Sequence, residues 1–269
     1  MELITSSARN PSAGIIRIRF SGLEQNVPLS HKGGTPLRAS HDVNLSRCAF
    51  KFFLLNGGMS LFVILLGGEL HVTPRLRAQV AGARFIAADS GMAHARVLGI
   101  KPELWVGDFD SAGSELLLFY AEVPRQTYPA DKDATDGEIA VQEALKLGAT
   151  EIILLGGMGG QADHVTAHLG QALQIVQLGK RCLISSGREE AYPLIAGSHQ
   201  FDLQDGCRFS IVPWSDISDF TLEGVKWPLS HVKLELGSSF TMSNVALGPV
   251  TLSFEQGIAI AFAYPASAD

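Results

Sequence analysis

Four segments of the chain join a short apolar run to a cluster of acidic or glycine residues: FIAADSG (85–91), LWVGDFDS (104–111), TYPADKDATD (127–136) and IILLGGMGGQADH (152–164). Each apolar run is typical of a buried β-strand. Ligands of open α/β sheets bind beyond the carboxyl ends of the strands, so the four clusters are expected to converge. Carboxylates and glycine loops together indicate a site for a metal ion and phosphates.

Asp108 and Asp110 are two residues apart in an extended segment, so both carboxylates are expected to point to the same side. Such a pair suits a hard cation such as Mg²⁺, which binds one or two carboxylates together with water and phosphate oxygens. An Asp-x-Asp pair also occurs as a turn former. Asp89, at the end of the neighbouring strand, favours the metal, because crowded carboxylates repel one another unless a cation neutralises them.

The segment DKDATD precedes a predicted helix. Asp133 and Asp136 are three residues apart and share a face of that helix. Asp133 or Thr135 is expected to cap it, but three aspartates and a lysine exceed what a cap requires. Lys132 is interpreted either as a phosphate contact or as a salt-bridge partner.

The segment GGMGGQADH lies between a strand and a helix, where glycines let the backbone approach a phosphate. Its spacing Gly157-x-Gly159-x-x-Ala162 fits a relaxed dinucleotide fingerprint. However, no acidic residue follows the next strand at the distance expected for a ribose contact, and no Walker A sequence is present. Asp163 and His164 are interpreted either as helix caps or as residues that face a nucleotide.

The remaining chemistry-bearing residues predict no second site. Several histidines are scattered and are interpreted as surface or satisfied interior residues: His71, His94, His168, His199 and His231. The sequence has no Cys/His spacing typical of zinc. It also lacks a nucleophile motif, which argues against hydrolysis through a Ser-His-Asp triad.

The clusters must be positioned by alternating strands and helices. Strands are predicted over 61–66, 84–88, 103–106, 125–128, 151–155 and 181–185. Helices are predicted from Pro74, after the N-cap Thr73, and near 91–98, 113–121, 135–147 and 162–178. This alternation predicts a doubly wound, mostly parallel α/β sheet domain over residues 59–190, with helices on both faces.

After about residue 190 the apolar pattern changes to a period of two. The segments HQFDLQDGCRFSIVPW, HVKLELGSSF, PVTLSF and GIAIAFAY are separated by Gly, Ser and Pro. They predict a small C-terminal β-sandwich or barrel over 191–269, with the boundary near 186–198.

Residues 1–58 differ from the rest of the chain in charge and periodicity. They hold seven Lys/Arg and three Asp/Glu, whereas residues 59–269 have a formal charge of −10. We interpret them as an extension that is either disordered or the product of an early start, with Met59 as the natural beginning.

Composition excludes several classes of protein. The acidic body argues against a nucleic-acid partner. The three cysteines are odd in number and lack a C-x-x-C spacing, which favours reduced thiols and a cytoplasmic location. No apolar run reaches the roughly 18 residues of a membrane span.

Taken in order, ADSG, GDFDS, DKDATD and GGxxDH resemble the thiamine pyrophosphokinase family. The resemblance continues in GVKWPL (224–229) and SSFTMSN (238–244), and it covers residues 59–269. It implies an ATP-dependent, Mg²⁺-requiring transfer of a pyrophosphoryl group to the hydroxyl of thiamine, with release of AMP. It also implies a homodimer that holds thiamine near the subunit contact.

The resemblance implies roles for the residues above. The candidate metal ligands are Asp89, Asp108, Asp110 and Asp136. The candidate catalytic residues are Asp108, Asp110, Asp133 and Asp136, with Asp110 or Asp136 as the base for the thiamine hydroxyl. The candidate ATP contacts are Asp89, Lys132, Thr135, Gly157, Gly159, Gln161, Asp163 and His164. The candidate thiamine contacts are Trp227, Ser243 and Asn244, each of which is also explained as a turn or core residue.

Two positions depart from the family pattern. Gln161 stands where the family usually has arginine, and His168 stands where it usually has asparagine. Gln161 removes a cation expected near the phosphates. We therefore expect Lys132 or Arg188 to compensate in part.

Two other functions are alternatives to pyrophosphoryl transfer to thiamine. The protein could transfer a phosphoryl or pyrophosphoryl group to another small alcohol, or it could be a non-catalytic thiamine- or nucleotide-binding protein.

Overall fold

A computed structural model describes residues 60–109, 113–128 and 133–265, together with the backbone of three strands near the N terminus. These strands form an antiparallel sheet in the order β1-β2-β3: β1 (Glu2–Ser6), β2 (Gly14–Phe20) and β3 (Leu23–Leu29). That the native protein begins at Met59 stays a prediction.

The main part of the chain begins with a parallel sheet of six strands. They are β4 (Leu61–Leu65), β5 (Arg84–Ala88), β6 (Leu104–Gly107), β7 (Arg125–Thr127), β8 (Glu151–Leu155) and β9 (Arg181–Ser185). The order across the sheet is β9-β8-β4-β5-β6-β7, and every pair is parallel. The chain therefore winds outward from β4 in one direction and then in the other. The carboxyl ends beside β4 form the switch point at which doubly wound sheets bind ligands.

Within the described residues, five α-helices connect these strands: α1 (Pro74–Gln79), α2 (Met92–Leu98), α3 (Ser114–Phe119), α4 (Asp136–Lys146) and α5 (Ala162–Gln177). They begin and end as the capping residues predict. Thr73 Oγ1 accepts a hydrogen bond from the Leu76 amide at 3.1 Å, ahead of Pro74. Gly99 ends α2 with a φ of 71°, in the left-handed region that glycine enters without strain.

The two faces of the sheet are covered by different helices. In β4, Phe62 and Ile64 pack in one core with buried residues of α4 and α5, whereas Val63 and Leu65 pack in a second core with residues of α1 and α2. Both faces are therefore apolar, which explains the continuous apolar runs in the sequence. The predicted doubly wound α/β domain is confirmed.

Five mostly antiparallel strands follow: β10 (Glu190–Phe201), β11 (Arg208–Pro213), β12 (Ile217–Val225), β13 (Leu229–Leu234) and β14 (Asn244–Tyr264). The long strand β14 pairs with β10, β11 and β12 around a core of its own. β10 also pairs with β9, through Glu190 with Ser185 and Ala191 with Ile184. The boundary predicted near 186–198 thus falls largely within a strand that both sheets share. Of the helices in the described part of the chain, none is long and apolar enough to cross a membrane.

Candidate functional site

A cavity of about 650 Å³ lies beyond the carboxyl ends of β4, β5, β6 and β8. Loops that follow these strands and the first turns of α4 and α5 form its walls. The described residues that line it are Leu66, Gly67, Gly68, Ala88, Asp89, Ser90, Asp108, Asp133, Ala134, Thr135, Asp136, Gly137, Gly156, Gly159, Gly160, Gln161, His164 and His168. The predicted convergence of the four clusters is therefore observed.

The cavity is acidic. Asp89, Asp108, Asp133 and Asp136 line it, and none of the described lining residues is a lysine or an arginine. A polyphosphate could bind among these carboxylates only with cations that offset the repulsion, so the donor chemistry fits Mg²⁺. Within the described residues, no three His, Cys, Asp or Glu side chains are grouped so as to hold a metal by themselves. Asp110 and Lys132 lie outside the described residues.

The backbone at Asp89 is unusual for a residue with a side chain. Its φ of 45° lies in the left-handed region, and it begins a single 3₁₀ turn (Asp89–Gly91) directly after β5. The Trp105 Nε1–H donates to the carbonyl oxygen of Asp89 at 2.9 Å. Gly107 lies beside it, because a Cβ at Gly107 would be 3.3 Å from the Asp89 Cα. The neighbouring strand β6 therefore holds Asp89 in place.

The glycine turn after β4 contacts the glycine loop after β8. The amide of Gly68 donates to the carbonyl oxygen of Gly156 at 2.9 Å, and the amide of Glu69 donates to that of Met158 at 2.9 Å. A Cβ at Gly68 would be 2.4 Å from the Gly156 oxygen, so only glycine permits this approach. Gly67 and Gly68 line the cavity, although neither was a predicted site residue. The sequence feature that could have indicated them is the Gly-Gly pair that ends the apolar run of β4.

The N termini of α4 and α5 form another wall. Thr135 is the N-cap of α4, since its Oγ1 accepts from the Glu138 amide at 3.2 Å; this settles the alternative between Asp133 and Thr135. Gln161 is the N-cap of α5, but its side chain makes no capping hydrogen bond. Its exposed amide therefore lines the cavity where a cation was expected.

Gly157 and Asp163 lie apart from the cavity wall. A Cβ at Gly157 would be 2.8 Å from Ile184 Cγ2, so the lack of a side chain serves packing of the buried loop. Asp163 accepts a hydrogen bond from the His164 amide at 2.9 Å and lines an adjoining groove. Of the predicted ATP contacts within the described residues, these two do not line the cavity, whereas Asp89, Thr135, Gly159, Gln161 and His164 do.

Two half-buried histidines hold the glycine loops. His94 Nε2 is 2.9 Å from the carbonyl oxygen of Gly68, and His168 Nδ1 is 3.0 Å from that of Gly157. Burial lowers the pKa of both imidazoles below the ordinary histidine value. The prediction of satisfied interior histidines thus fits His94. His168 also lines the cavity, at the second position where the sequence departs from the family pattern.

The predicted thiamine contacts lie in the β-domain, outside this cavity. Asn244 is buried and makes three hydrogen bonds with the backbone: Nδ2 donates to the Trp227 oxygen at 2.8 Å, and Oδ1 accepts from the amides of Trp227 and Val245. The Asn244 side chain thus ties the loop around Trp227 to β14. The Trp227 ring is 53% exposed and lies under the Lys226 ammonium at 4.7 Å.

Comparison with known proteins assigns the chain to a family. The family model described as thiamin pyrophosphokinase, catalytic domain, matches residues 80–184, and the one described as thiamin pyrophosphokinase, vitamin B1 binding domain, matches residues 198–259. The chain belongs to the thiamine pyrophosphokinase family. The cavity lies within the first match except for residues 66–68, and Asn244 and Trp227 lie within the second.

Individual relatives agree. The thiamine pyrophosphokinase of Bacillus subtilis (strain 168) is 28% identical over 208 residues, which cover 75% of this chain and 97% of that protein. A crystal structure of thiamine pyrophosphokinase from Bacillus subtilis has a TM-score of 0.70 at 26% identity and covers 77% of this chain and 99% of its own. The enzyme from Geobacillus thermodenitrificans has a TM-score of 0.66 at 26% identity, covering 78% and 99%. The expected fold, an α/β domain followed by a β-sandwich, is therefore confirmed.

Proposed function

We propose that the chain is an ATP-dependent thiamine pyrophosphokinase, which converts thiamine and ATP to thiamine diphosphate and AMP. The observation that carries the proposal is the cavity at the switch point of the sheet, where four aspartates face two glycine loops. Phosphoryl-type transfer depends mainly on positioning and on neutralisation of charge, and this site offers groups for both.

Mg²⁺ would be held by Asp89, Asp108 and Asp136, together with Asp110, which lies outside the described residues. When bound, the metal would neutralise phosphate charge and align the reacting oxygens. The turns at Gly159 and Gly160, with φ of 77° and 75°, would let backbone N–H groups approach the phosphates. The exposed amide of Gln161 would donate to a phosphate oxygen without neutralising it.

In the proposed reaction the thiamine hydroxyl oxygen attacks the β-phosphorus of ATP. The bond between that phosphorus and the oxygen that bridges it to the α-phosphorus breaks, and AMP leaves with the electrons of this bond. An aspartate accepts the hydroxyl proton. Asp136 is the candidate within the described residues, and Asp110 is the alternative. Asp133 lines the same wall and would help to orient the metal-bound phosphates.

Thiamine would bind where the β-domain meets a second subunit. Several large apolar side chains of the β-domain are exposed, among them Trp227 at 53%, Phe240 at 67% and Leu247 at 60%. Apolar exposure of this kind supports a homodimer contact. We propose that Trp227 and Ser243 contact thiamine there, and that Asn244 acts by holding the loop of Trp227.

The division into an extension (1–58), an α/β domain (59–190) and a β-domain (191–269) is proposed on the same grounds. A cytoplasmic location also stays a prediction.

Cys182 and Cys207 are free thiols, and burial raises the pKa of both, which supports a structural rather than a redox role.

The test is an incubation with ATP, Mg²⁺ and thiamine, followed by separation of the nucleotides. AMP and thiamine diphosphate in equal amounts support the proposal. Formation of ADP indicates a kinase that transfers one phosphoryl group, and binding without turnover indicates a non-catalytic protein; either result refutes it. Omission of Mg²⁺, with EDTA present, should abolish turnover.

A matched pair of variants assigns the activity to the cavity. Asp136→Asn keeps the side-chain shape but removes the charge, and we expect kcat to fall by about 100-fold or more. Asp205→Asn changes an exposed aspartate between β10 and β11 and should retain wild-type turnover. Equal activity of the two variants would place the reaction elsewhere.

A further inference from the structure

A second cavity, which we call the helix groove, adjoins the acidic cavity. It has a volume of about 460 Å³ and runs between α4 and α5. Thr135, His164 and His168 line both spaces, so the two cavities adjoin at these residues. The described residues that line it include the uncharged side chains of Gln171 and Gln174 on α5, together with the carboxylates of Glu138 and Asp163. The groove therefore offers both amide and carboxylate groups, whereas four aspartates line the phosphate side of the site.

The hydrogen bond of His168 determines what its other nitrogen can do. A carbonyl oxygen only accepts, so Nδ1, at 3.0 Å from the Gly157 oxygen, must carry the proton. Burial lowers the pKa of the ring, which keeps it neutral near pH 7. Nε2 is then an unprotonated acceptor. It faces the first turn of α4, since a Cβ at Gly137 would be 3.9 Å from it.

An acceptor at this position selects its ligand. A phosphate oxygen is also an acceptor and is repelled by a lone pair, so the partner of Nε2 must bring an N–H or O–H group. In ATP at neutral pH such groups occur on the nucleoside, as the adenine amino group and the ribose hydroxyls. Within the described residues, no side chain or amide donates to Nε2.

We propose that His168 Nε2 accepts a hydrogen bond from the nucleoside of ATP, so that the nucleoside extends into the helix groove while the phosphates lie among the aspartates. This inference rests on the proposed function, because it takes ATP as the ligand. It gives the nucleotide a direction in the site and assigns His168 a part in nucleotide selection.

The test measures equilibrium affinity for Mg·ATP, purine riboside triphosphate, 2′-deoxy-ATP and 3′-deoxy-ATP, by calorimetry without thiamine. Each analogue removes one candidate donor. We expect wild-type protein to bind one of them about 3- to 10-fold more weakly than ATP, the usual effect of a single neutral hydrogen bond. His168→Leu should bind ATP and that analogue equally, within about twofold. The analogue concerned identifies the donor as amino group or hydroxyl.

His94→Leu is the matched control. His94 is also half-buried, also holds a glycine carbonyl, and is not among the residues that line either space. Its replacement should weaken binding of all four nucleotides by a common factor and leave their ratios unchanged. Equal loss of discrimination in both variants would show an indirect effect through the glycine loops and overturn the contact.

Two further outcomes separate this inference from the proposed function. If His168→Leu keeps the full wild-type discrimination, or wild-type protein shows none, the contact is wrong even when thiamine diphosphate forms. If discrimination is lost as expected but no thiamine diphosphate forms in the turnover assay, the contact stands and the proposed reaction is wrong.

Discussion

Glu190 should be among the most important charged residues for stability. It is the first residue of β10, its side chain is 1% exposed, and it accepts four hydrogen bonds. Arg75 of α1 donates two, from Nε at 2.7 Å and Nη2 at 3.0 Å, and Gln79 donates one at 2.7 Å. Tyr192 donates the fourth through its hydroxyl. The hydrogen bonds from Arg75 to Glu190 raise the pKa of Arg75, so its guanidinium stays charged.

Glu190→Gln keeps the shape of the side chain but replaces one acceptor oxygen with a donor. At least one N–H donor of Arg75 or Gln79 then faces the amide NH₂ instead of an acceptor oxygen. Arg75, which is about one-third exposed, also loses its counter-ion. Breaking a buried, hydrogen-bonded ion pair from one side costs about 3–5 kcal/mol. The retained amide oxygen reduces this, so we expect a loss of about 3 kcal/mol in the free energy of unfolding. For a protein of this size the Tm should fall by about 6–12 °C.

Glu103→Gln is the control. Glu103 binds Arg84 with the same two-point geometry, at 2.9 and 2.8 Å, but its side chain is 34% exposed. A solvent-exposed pair of this kind contributes about 1 kcal/mol or less. Urea unfolding followed by circular dichroism measures both variants. If Glu190→Gln is no less stable than Glu103→Gln, burial does not determine the strength of this cluster, and the reasoning is refuted.

Three other variants test the site and its supports. Gln161→Arg adds a cation to the acidic cavity and should lower the KM for ATP about 5- to 10-fold at low salt. The decrease in KM should be smaller at high salt, because salt screens the added charge. An unchanged KM at low salt would mean that position 161 does not face the phosphates. Gly68→Ala places a Cβ 2.4 Å from the Gly156 oxygen, so we expect it to reduce ATP affinity about tenfold or more in a binding titration. Gly113→Ala is its control: a Cβ there has open space around it, so this variant should retain wild-type affinity. Asn244→Ala removes three hydrogen bonds and should lower the free energy of unfolding by about 2–4 kcal/mol in urea; a loss below about 1 kcal/mol would show that the loop of Trp227 does not depend on it.

Local sequence signals predicted the helices and strands well. Thr73 and Pro74 begin α1, Gly99 ends α2, and the apolar runs over 84–88, 151–155 and 181–185 form strands with those bounds. Each signal depends on interactions between residues close in the chain, such as a side-chain cap or a turn with positive φ. Such interactions can be recognised without knowledge of the tertiary structure.

The site was predicted in part. The rule that ligands bind at strand ends brought Asp89, Asp108 and Asp136 together before their neighbours in space were known. It did not find Gly68, whose close approach to Gly156 depends on the pairing of β4 with β8, some ninety residues later in the chain. It also did not find His168, because helical spacing alone does not show which face of α5 borders the cavity.

The sequence by itself determined the type of the helices and strands from β4 to β9, the family to which the chain belongs and the acidic, glycine-rich chemistry of the site. Only the tertiary structure decided the order of the strands, the close approach of Gly68 to Gly156, and the hydrogen bonds between Asn244 and Trp227. The physical reason is the range of the interactions. Capping and periodicity act over a few residues, whereas strand pairing, close backbone approach and the burial of Glu190 against Arg75 join residues about a hundred positions apart.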